Sequence, residues 1–526
     1  MSRTAPLVFL AFALFSRNAL AAVDEETIDD PLAQHARETS ATPATVEAKN
    51  EAKNEPAGAP RFHLDVFAYV SIDTKWTRDD VAPSLGEDVA RARLRTTLGV
   101  EGGAPKSLRY VLEARLSLEA RGKRAPSGES WPLERATYLY EALPTAAYVE
   151  VPLGAWLRAR VGEQVVAWGR MDLASAADVL ERRDLREPPT IDPTYVRLPT
   201  PTVRFDGKLG AALDATLAWT VVSMPHKYDL LGNSWAILGP GFFESAGSLH
   251  DRLALLAAST DQTTFVRVQQ ALVDASSPSA RLDGGELAAR AVAHVGGVDL
   301  GATYGWVRTK LPVIDVDPVL RDFRGDAQSG AALLRALQDG RPLLSTSYPR
   351  YHQLALDLEG VAGPLTLSWE LGFTPKRPLY VQDPSGFPVR SDSGLAQVGV
   401  RAQYVRDERF VASLEADLFE AVDAPPPGLG PYVLFGVHRA IGALVASLDV
   451  TPWKKHVLDL GVIGTTSGPS LALLPRYAFE LDEAWTLGLA AAFFPRLRAR
   501  EASAPLTLSD VQVGRDFAQA FVRYRR

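Results

Sequence analysis

The sequence predicts an all-β fold, a transmembrane antiparallel up-and-down β-barrel of about 18 strands. Three observations predict it. Apolar and polar residues alternate along segments of ten or more residues, and the polar partner is often a full charge. The longest apolar run, Ala5 to Phe15, has eleven residues, whereas a spanning helix needs about 18 or more. The alternatives, a soluble sandwich or propeller, use shorter strands of about 5 or 6 residues.

The alternation begins at Phe62. In the first strand Leu64 and Val66 share one face, and His63 and Asp65 share the other. An apolar face for lipid and a polar face for water is what a membrane barrel requires. The same pattern is found at residues 90–100, 108–119 and 148–161.

The connections between strands predict the count. Short turns, which lie on the periplasmic side of such barrels, are expected near 102–106, 143–146, 206–208, 296–297, 360–363, 406–408, 451–455 and 481–483. Longer connections are expected at 77–87, 121–133, 162–200, 223–284, 310–348, 376–393, 422–430, 464–469 and 496–513. Eight turns and nine loops give 18 strands, or 16 if a weak pair near Arg204 or Ile441 is misassigned.

The first 60 residues are predicted to lie outside the barrel, which is expected at 61–526. Residues 1–22 have a basic start, an apolar run and an Ala19-Leu20-Ala21 cleavage pattern, and so predict a secretory signal peptide; a membrane anchor is the alternative. Residues 23–60 contain no aromatic residue and predict a disordered acidic periplasmic linker, with a functional coiled segment as the alternative. The net charge of −7 divides into +2 for 1–22, −6 for 23–60 and −3 for the rest.

The connection at 162–200 is rich in charge and proline, which excludes regular structure over its second half. One hypothesis is a constriction loop that folds into the lumen and selects solutes by size and charge. The alternative is a salt-bridged external loop. The residues predicted to form the constriction are Trp168, Arg170, Asp172, Asp178, Glu181, Arg182, Arg183, Asp184 and Arg186.

Residues of lumen parity on the early strands form a predicted charge ladder. Its members are Arg91, Arg93, Arg95, Arg109, Glu113, Arg115, Glu150, Arg158 and Arg160. Later strands carry an acidic set, Asp357, Glu359, Glu370, Glu415 and Asp417. Opposed walls of this kind would bias permeant ions; alternatively, neighbouring Arg and Glu residues pair and keep a wide lumen hydrated. Loops 223–284 and 310–348, the second with a helix-like stretch at 331–337, are candidate plugs.

The run G-x-Q-x-x-x-W-G at Gly162 to Gly169, followed by Asp172, Asp178, Asp184-Leu185-Arg186 and Arg197-Leu198-Pro199, resembles the signature of porin-like proteobacterial outer-membrane β-barrels. The strand count is similar to that of alginate-export-type channels in the same broad superfamily. The specific match covers roughly residues 158–205. The terminus departs from the pattern, because Phe521 and Tyr524 are followed by Arg525-Arg526 where such barrels end in an aromatic residue.

The resemblance implies a Gram-negative outer-membrane channel for passive passage or export of small polar solutes, and the arginine-rich ladder favours anionic ones. The expected partners are outer-membrane lipid, the outer-membrane assembly machinery and the solutes, with no nucleic acid. An alternative is a non-conducting barrel that acts as a structural anchor or surface-interaction protein.

Signals for catalysis are weak. The eight histidines lack metal-ligand spacing and the chain has no cysteine, so neither a metal site nor a cofactor is predicted. No catalytic residue is assigned. A barrel hydrolase remains the less favoured alternative, with His352 as the residue to consider.

Overall fold

The computed structural model describes residues 59–73, 88–103, 107–123, 137–172, 175–186, 193–228, 284–383, 388–407, 410–429, 432–433, 440–453, 455–465, 470–495 and 516–526. All described residues belong to one compact unit, 54–526. The predicted signal peptide and linker therefore lie outside the described residues, apart from Ala59 and Pro60.

The main sheet is a closed antiparallel barrel. The sheet contains 19 strands. One of them, the two-residue strand Tyr432–Val433, is not part of the barrel wall and pairs with the end of the barrel strand Leu365–Gln382. The remaining 18, numbered along the chain, are β1 (Arg61–Asp73), β2 (Asp88–Gly103), β3 (Arg109–Lys123), β4 (Thr137–Pro152), β5 (Leu157–Gln164), β6 (Thr200–Lys208), β7 (Leu213–Thr220), β8 (Glu286–Val295), β9 (Val298–Arg308), β10 (Arg350–Ala362), β11 (Leu365–Gln382), β12 (Pro388–Asp407), β13 (Phe410–Ala421), β14 (Ala440–Trp453), β15 (His456–Thr465), β16 (Ser470–Glu480), β17 (Trp485–Ala492) and β18 (Phe517–Arg525).

Each barrel strand pairs with its neighbours in chain order, and β18 pairs with β1 to close the sheet. Closure removes the free sheet edges, which hydrocarbon does not tolerate. The predicted fold class is confirmed, with 18 strands rather than 16.

The two faces of the strands differ as the alternation predicts. On β2, Leu94 and Leu98 point outward and are 39% and 59% exposed, whereas Arg93 and Arg95 point inward and are 5% and 1% exposed. The outer face is therefore apolar and the charged side chains line the interior. This distribution is the one required of a barrel that meets lipid outside and water inside.

One predicted turn is wrong. Residues 143–146 lie inside β4, and the chain reverses at 153–156 instead. Pro144 misled the assignment: it pairs opposite Ala114, next to a register shift in β3, and bulges are among the few sheet positions that accept proline. The predicted strand at 148–161 is thus two strands, β4 and β5, joined by a turn that preserves the alternation. The other seven turns lie at or next to their predicted positions.

The connection between β9 and β10 forms a small folded unit. A hairpin pairs Val313–Val316 with Leu344–Ser347. Between these strands lie two helices, Pro318–Arg321 and Ala327–Gln338, whose N-termini are capped by Asp317 and Asp326. The second helix includes the predicted helix-like stretch. Leu320, Phe323, Leu333 and Leu343 are fully buried between these segments.

Within the described residues, no helix is both long enough and apolar enough to cross a membrane. Most of the other predicted plug, loop 223–284, lies outside the described residues.

Candidate functional site

The segment between β5 and β6 lies inside the barrel and reaches opposite walls. At one end Arg170 contacts Asp357 on β10, and at the other the Tyr195 hydroxyl contacts Asp65 on β1. Because β1 and β10 are nine strands apart in a barrel of 18, these contacts are on opposite sides of the lumen. We call residues 165–199 the lumen loop; its residues 173–174 and 187–192 lie outside the described part.

The first wall, the acidic wall, is formed by β10 to β13. The Arg170 guanidinium donates to Asp357 at 3.1 Å and to Glu359 at 2.5 Å. The backbone N–H of Asp172 donates to Glu415 on β13 at 2.7 Å. The lumen loop thus presents donors to a row of carboxylates. Asp357 also accepts a bond from Arg290 on β8 at 2.8 Å, so these acidic groups are bound by cations and amides together.

The opposite wall, the arginine wall, is formed by β18 and β1 to β4. Arg91 donates to the backbone carbonyl of Arg186 at 2.6 Å, and Arg115 donates to that of Tyr195 at 3.1 Å. The Tyr195 ring stacks on Phe67, with ring centres 4.9 Å apart. Guanidinium groups also lie over this ring at 5.0 to 5.5 Å, from Arg95, Arg115 and Arg523. Cation–π contacts of this kind add to the hydrogen bonds.

The middle of the loop is a network of ion pairs. Glu181 accepts bonds from Arg183 at 2.6 Å and Arg197 at 2.8 Å, while Asp184 accepts from Arg186 at 2.7 Å. A two-stranded ribbon, Arg182–Arg183 with Arg197–Leu198, holds this part together. Arg186 also reaches Glu141 on β4 at 3.0 Å.

Residues 224–228, which follow β7, join the lumen loop. Arg182 donates to the carbonyl of Pro225 at 2.7 Å, and the N–H of Arg183 donates to Nδ1 of His226 at 2.9 Å. Burial, followed by the positive charge of Lys310, lowers the pKa of His226 well below its ordinary value. A neutral imidazole can accept this bond. Lys227 completes the junction by pairing with Glu141.

The first turn of the lumen loop is closed by Asp178. Its Oδ1 accepts the N–H groups of Trp168 at 2.5 Å and Gly169 at 2.6 Å. Burial, with a smaller contribution from the charge of Glu181, raises the pKa of Asp178 to about 6. Its Oδ2 has no hydrogen-bond partner among the described residues.

All nine predicted constriction residues belong to the lumen loop, which lies inside the barrel. Their role in narrowing a pore stays a prediction. Those that bridge to a wall or to 224–228 are Arg170, Asp172, Arg182, Arg183, Asp184 and Arg186. Those with partners inside the loop are Trp168, Asp178 and Glu181.

The charge ladder is extensively paired. Arg91 and Arg93 meet Glu119 at 2.8 and 3.4 Å. Glu150 meets Arg160 at 2.7 Å and Arg158 at 3.6 Å. Further pairs join Arg109 to Glu101 and Glu113 to His63, both at 2.8 Å, and Arg95 and Arg115 lie at Tyr195. The ladder is thus a set of neighbouring ion pairs and loop contacts, which agrees with the pairing alternative.

Several residues of this site were not predicted. Tyr195, Glu141, His226 and Lys227 carried no motif, and Tyr195 was hidden between prolines. The alternation did place Asp65 in the lumen, but it gave no indication that a loop residue would bind it.

The hydrolase candidate His352 is on the outer surface. Its Nδ1 lies 2.8 Å from the hydroxyl of Tyr304 on β9. Across the described ranges, no group of three or more His, Asp or Glu residues is arranged to hold a metal ion.

No protein-family model and no curated protein sequence matches the chain. Solved structures with which it shares similarity include OccAB1 of Acinetobacter baumannii, with 8% identity, coverage of 91% of this chain and 99% of the other, and a TM-score of 0.46. OpdK of Pseudomonas aeruginosa, solved with vanillate, has 12% identity, coverage of 89% and 98%, and a TM-score of 0.42. Salmonella typhi OmpF, in a complex with daunomycin, has 9% identity, coverage of 89% and 98%, and a TM-score of 0.40. The solved structures that the chain is similar to also include a porin of Rh. blastica and the outer-membrane channel DcaP of Acinetobacter baumannii.

Proposed function

We propose that this chain is an outer-membrane channel for passive passage or export of small polar solutes, with anionic solutes favoured. The observation that carries the proposal is the lumen loop, which lies across a closed barrel whose interior is charged. Barrels of 16 to 18 strands leave an aqueous channel unless something fills it. A loop with charged side chains inside such a lumen is suited to select solutes by size and charge.

The proposed preference for anions rests on the arginine-rich ladder and on the binding of the acidic wall by the lumen loop. The acidic wall is occupied by loop donors: Asp357, Glu370 and Glu415 are at most 2% exposed. Arg158 on β5, by contrast, keeps 55% of its side chain exposed. Arg158 is therefore a positive charge of the ladder that a permeating anion can reach, whereas the carboxylate of Asp172, which is 60% exposed, is paired with Arg401 at 3.1 Å. The signal-peptide pattern at 1–22 supports export, with the assembly machinery as the expected route into the membrane.

The test is conductance of the purified full chain in planar bilayers, together with a variant in which 168–198 is replaced by a short Gly-Ser link. We expect discrete current steps from the wild type, and steps several-fold larger from the variant because the 18-stranded lumen is then open. A salt gradient should give a reversal potential of anion-preferring sign. No current from either protein would exclude the channel.

The second candidate is a non-conducting anchor. The observation that favours it is that the lumen loop contacts both walls and is joined there by 224–228. The same experiment separates the two functions, since an anchor predicts current only from the shortened variant.

A further inference from the structure

Glu370 on β11 is enclosed by donors of the lumen loop. Ser175 Oγ donates to its carboxylate at 2.7 Å and the N–H of Ala176 donates at 2.9 Å. The N–H of Arg170 donates to it as well. The residue is 0% exposed. Burying a carboxylate costs free energy unless hydrogen bonds satisfy it. The loop donors supply these bonds to Glu370, and the same bonds hold the loop against the wall.

Three glycines on neighbouring wall strands make room for the same stretch of loop. A Cβ on Gly372 of β11 would lie 2.5 Å from the Cβ of Ala176. A Cβ on Gly399 of β12 would lie 2.8 Å from Met171 Cγ, and one on Gly305 of β9 would lie 3.0 Å from Val179 Cβ. Carbon atoms pack at about 3.5 to 4.0 Å. A side chain at Gly372 would therefore push the loop directly at Ala176, whereas one at Gly399 or Gly305 would require Met171 or Val179 to shift.

We propose that Glu370, Gly305, Gly372 and Gly399 form a seat that fixes the lumen loop against the acidic wall and thereby sets the width of the opening. The inference deepens the proposed channel function and rests on it. The hydrogen bonds and the glycines are independent observations, and both locate the stretch 170–179. These four residues act through the loop, so they are positioning residues that need not touch a solute.

The seat also governs charge. The loop that it holds brings Arg170 to Asp357 and Glu359, and brings the N–H of Asp172 to Glu415. When the loop leaves the seat, these carboxylates lose the donors that the loop supplies and become more exposed to the lumen, although Asp357 keeps its bond from Arg290. Release therefore widens the opening and lowers its preference for anions together, whereas a purely steric change would alter size alone.

Two pairs of matched variants test the seat by conductance and reversal potential. Glu370→Gln places an amide nitrogen among the loop donors, and its control is Asp459→Asn, which removes a lumen carboxylate paired with Arg476 at 3.1 Å on β15 and β16. Gly372→Ala pushes against Ala176, and its control is Gly461→Ala, where the added Cβ meets Leu474 of the barrel at 3.3 Å. We expect the two seat variants to raise conductance at least about twofold and to reduce anion preference, with the controls near wild type.

A thiol-labelling experiment measures whether the loop stays against the wall, and it does not depend on conductance. The chain has no cysteine, so Ala177→Cys provides a single thiol at a residue that is 0% exposed. We expect slow reaction with a water-soluble maleimide, and reaction at least about tenfold faster when Glu370→Gln or Gly372→Ala is added, because local opening exposes the residue. Equal labelling rates in all backgrounds would overturn the seat, and so would, in a wild type that conducts, seat variants with the same conductance as the controls. A wild type that passes no current but shows the labelling difference would refute the channel and keep the seat.

Discussion

The arginine wall and the acidic wall hold the same loop through opposite backbone groups. On the arginine wall, Arg91 and Arg115 donate to loop carbonyls. On the acidic wall, Glu415 and Glu370 accept from loop N–H groups. Every residue has one carbonyl acceptor and one N–H donor, so a lumen with separated charges can bind an irregular chain on both sides. The charged lumen residues that the sequence analysis predicts to act on permeating solutes therefore also bind the loop.

The largest effect is expected on the acidic wall from Arg170→Ala. The substitution removes the guanidinium that binds Glu359 and leaves Asp357 with Arg290 alone, which should move the reversal potential toward cations. Breaking such a largely buried pair should also destabilise the barrel by about 3 kcal/mol. Arg109→Ala is the control on the arginine wall, because that side chain on β3 is 36% exposed and is 2.8 Å from Glu101. An equal shift from both variants would mean that the walls do not differ.

The junction between the walls is tested by Arg182→Ala with Arg183→Ala. The double variant removes the bond from Arg182 to Pro225 and the pair of Arg183 with Glu181. Residues 224–228 should then be joined to the lumen loop less firmly, by backbone bonds such as that from Lys227 N–H to the carbonyl of residue 183, and conductance should rise by up to about twofold. Arg390→Ala, which removes an exposed pair with Asp392, is the control. Unchanged conductance and reversal potential would argue against a constriction at these arginines.

A smaller effect is expected on the arginine wall from Tyr195→Phe. The ring keeps its stacking on Phe67, and only the 2.7 Å bond from the hydroxyl to Asp65 is lost. We expect a loss of about 1 kcal/mol in the free energy of unfolding, measured by urea titration in detergent micelles. Tyr140→Phe, at an 85% exposed outer position, should leave the midpoint unchanged. A similar loss from both would assign the effect to the barrel rather than to the wall.

The smallest effect is expected from a substitution inside the lumen loop, Asp178→Asn, which removes no contact with either wall. Asp178 has a pKa raised to about 6, so its folded form binds a proton more tightly than the unfolded chain does. Stability of the wild type should therefore fall as pH rises from 3.8 to about 6 and stay reduced above that. Asp178→Asn keeps an oxygen for Trp168 and Gly169 and removes the charge. We expect a gain of about 1 kcal/mol at pH 7.5.

The control for Asp178→Asn is the pH itself. The gain in stability should shrink as the pH falls through 6 and disappear below 3.8, where the wild-type carboxyl is protonated in both states. A gain of the same size at every pH would show that the buried charge is not its cause.

The sequence predicted the barrel well because one physical rule, alternation between lipid and water, acts on every spanning strand. That rule failed where a short turn preserved the alternation, between Val151 and Leu157. It also failed at the predicted connection 376–393, most of which belongs to β11 and β12. It could not predict the contacts of the lumen loop, which has no lipid-facing side. Arg170 and Glu370 are 200 residues apart, and neither a period nor a motif joins them. The three seat glycines lie in strands where a missing side chain leaves no mark on the pattern.

Two strands are much longer than a membrane requires. β11 has 18 residues and β12 has 20, whereas a span takes about 9 to 11. Roughly half of each therefore stands beyond the hydrocarbon, at the end of the barrel that carries the long connections. Tyr380 on this extension accepts the N–H of Ile314 at 2.6 Å and donates to the carbonyl of Pro312 at 3.2 Å, which fixes the hairpin-and-helix unit to it. The barrel thus extends further on one side of its rim, where the two long strands and the hairpin-and-helix unit form a folded projection at which we expect an inserted peptide tag to be accepted.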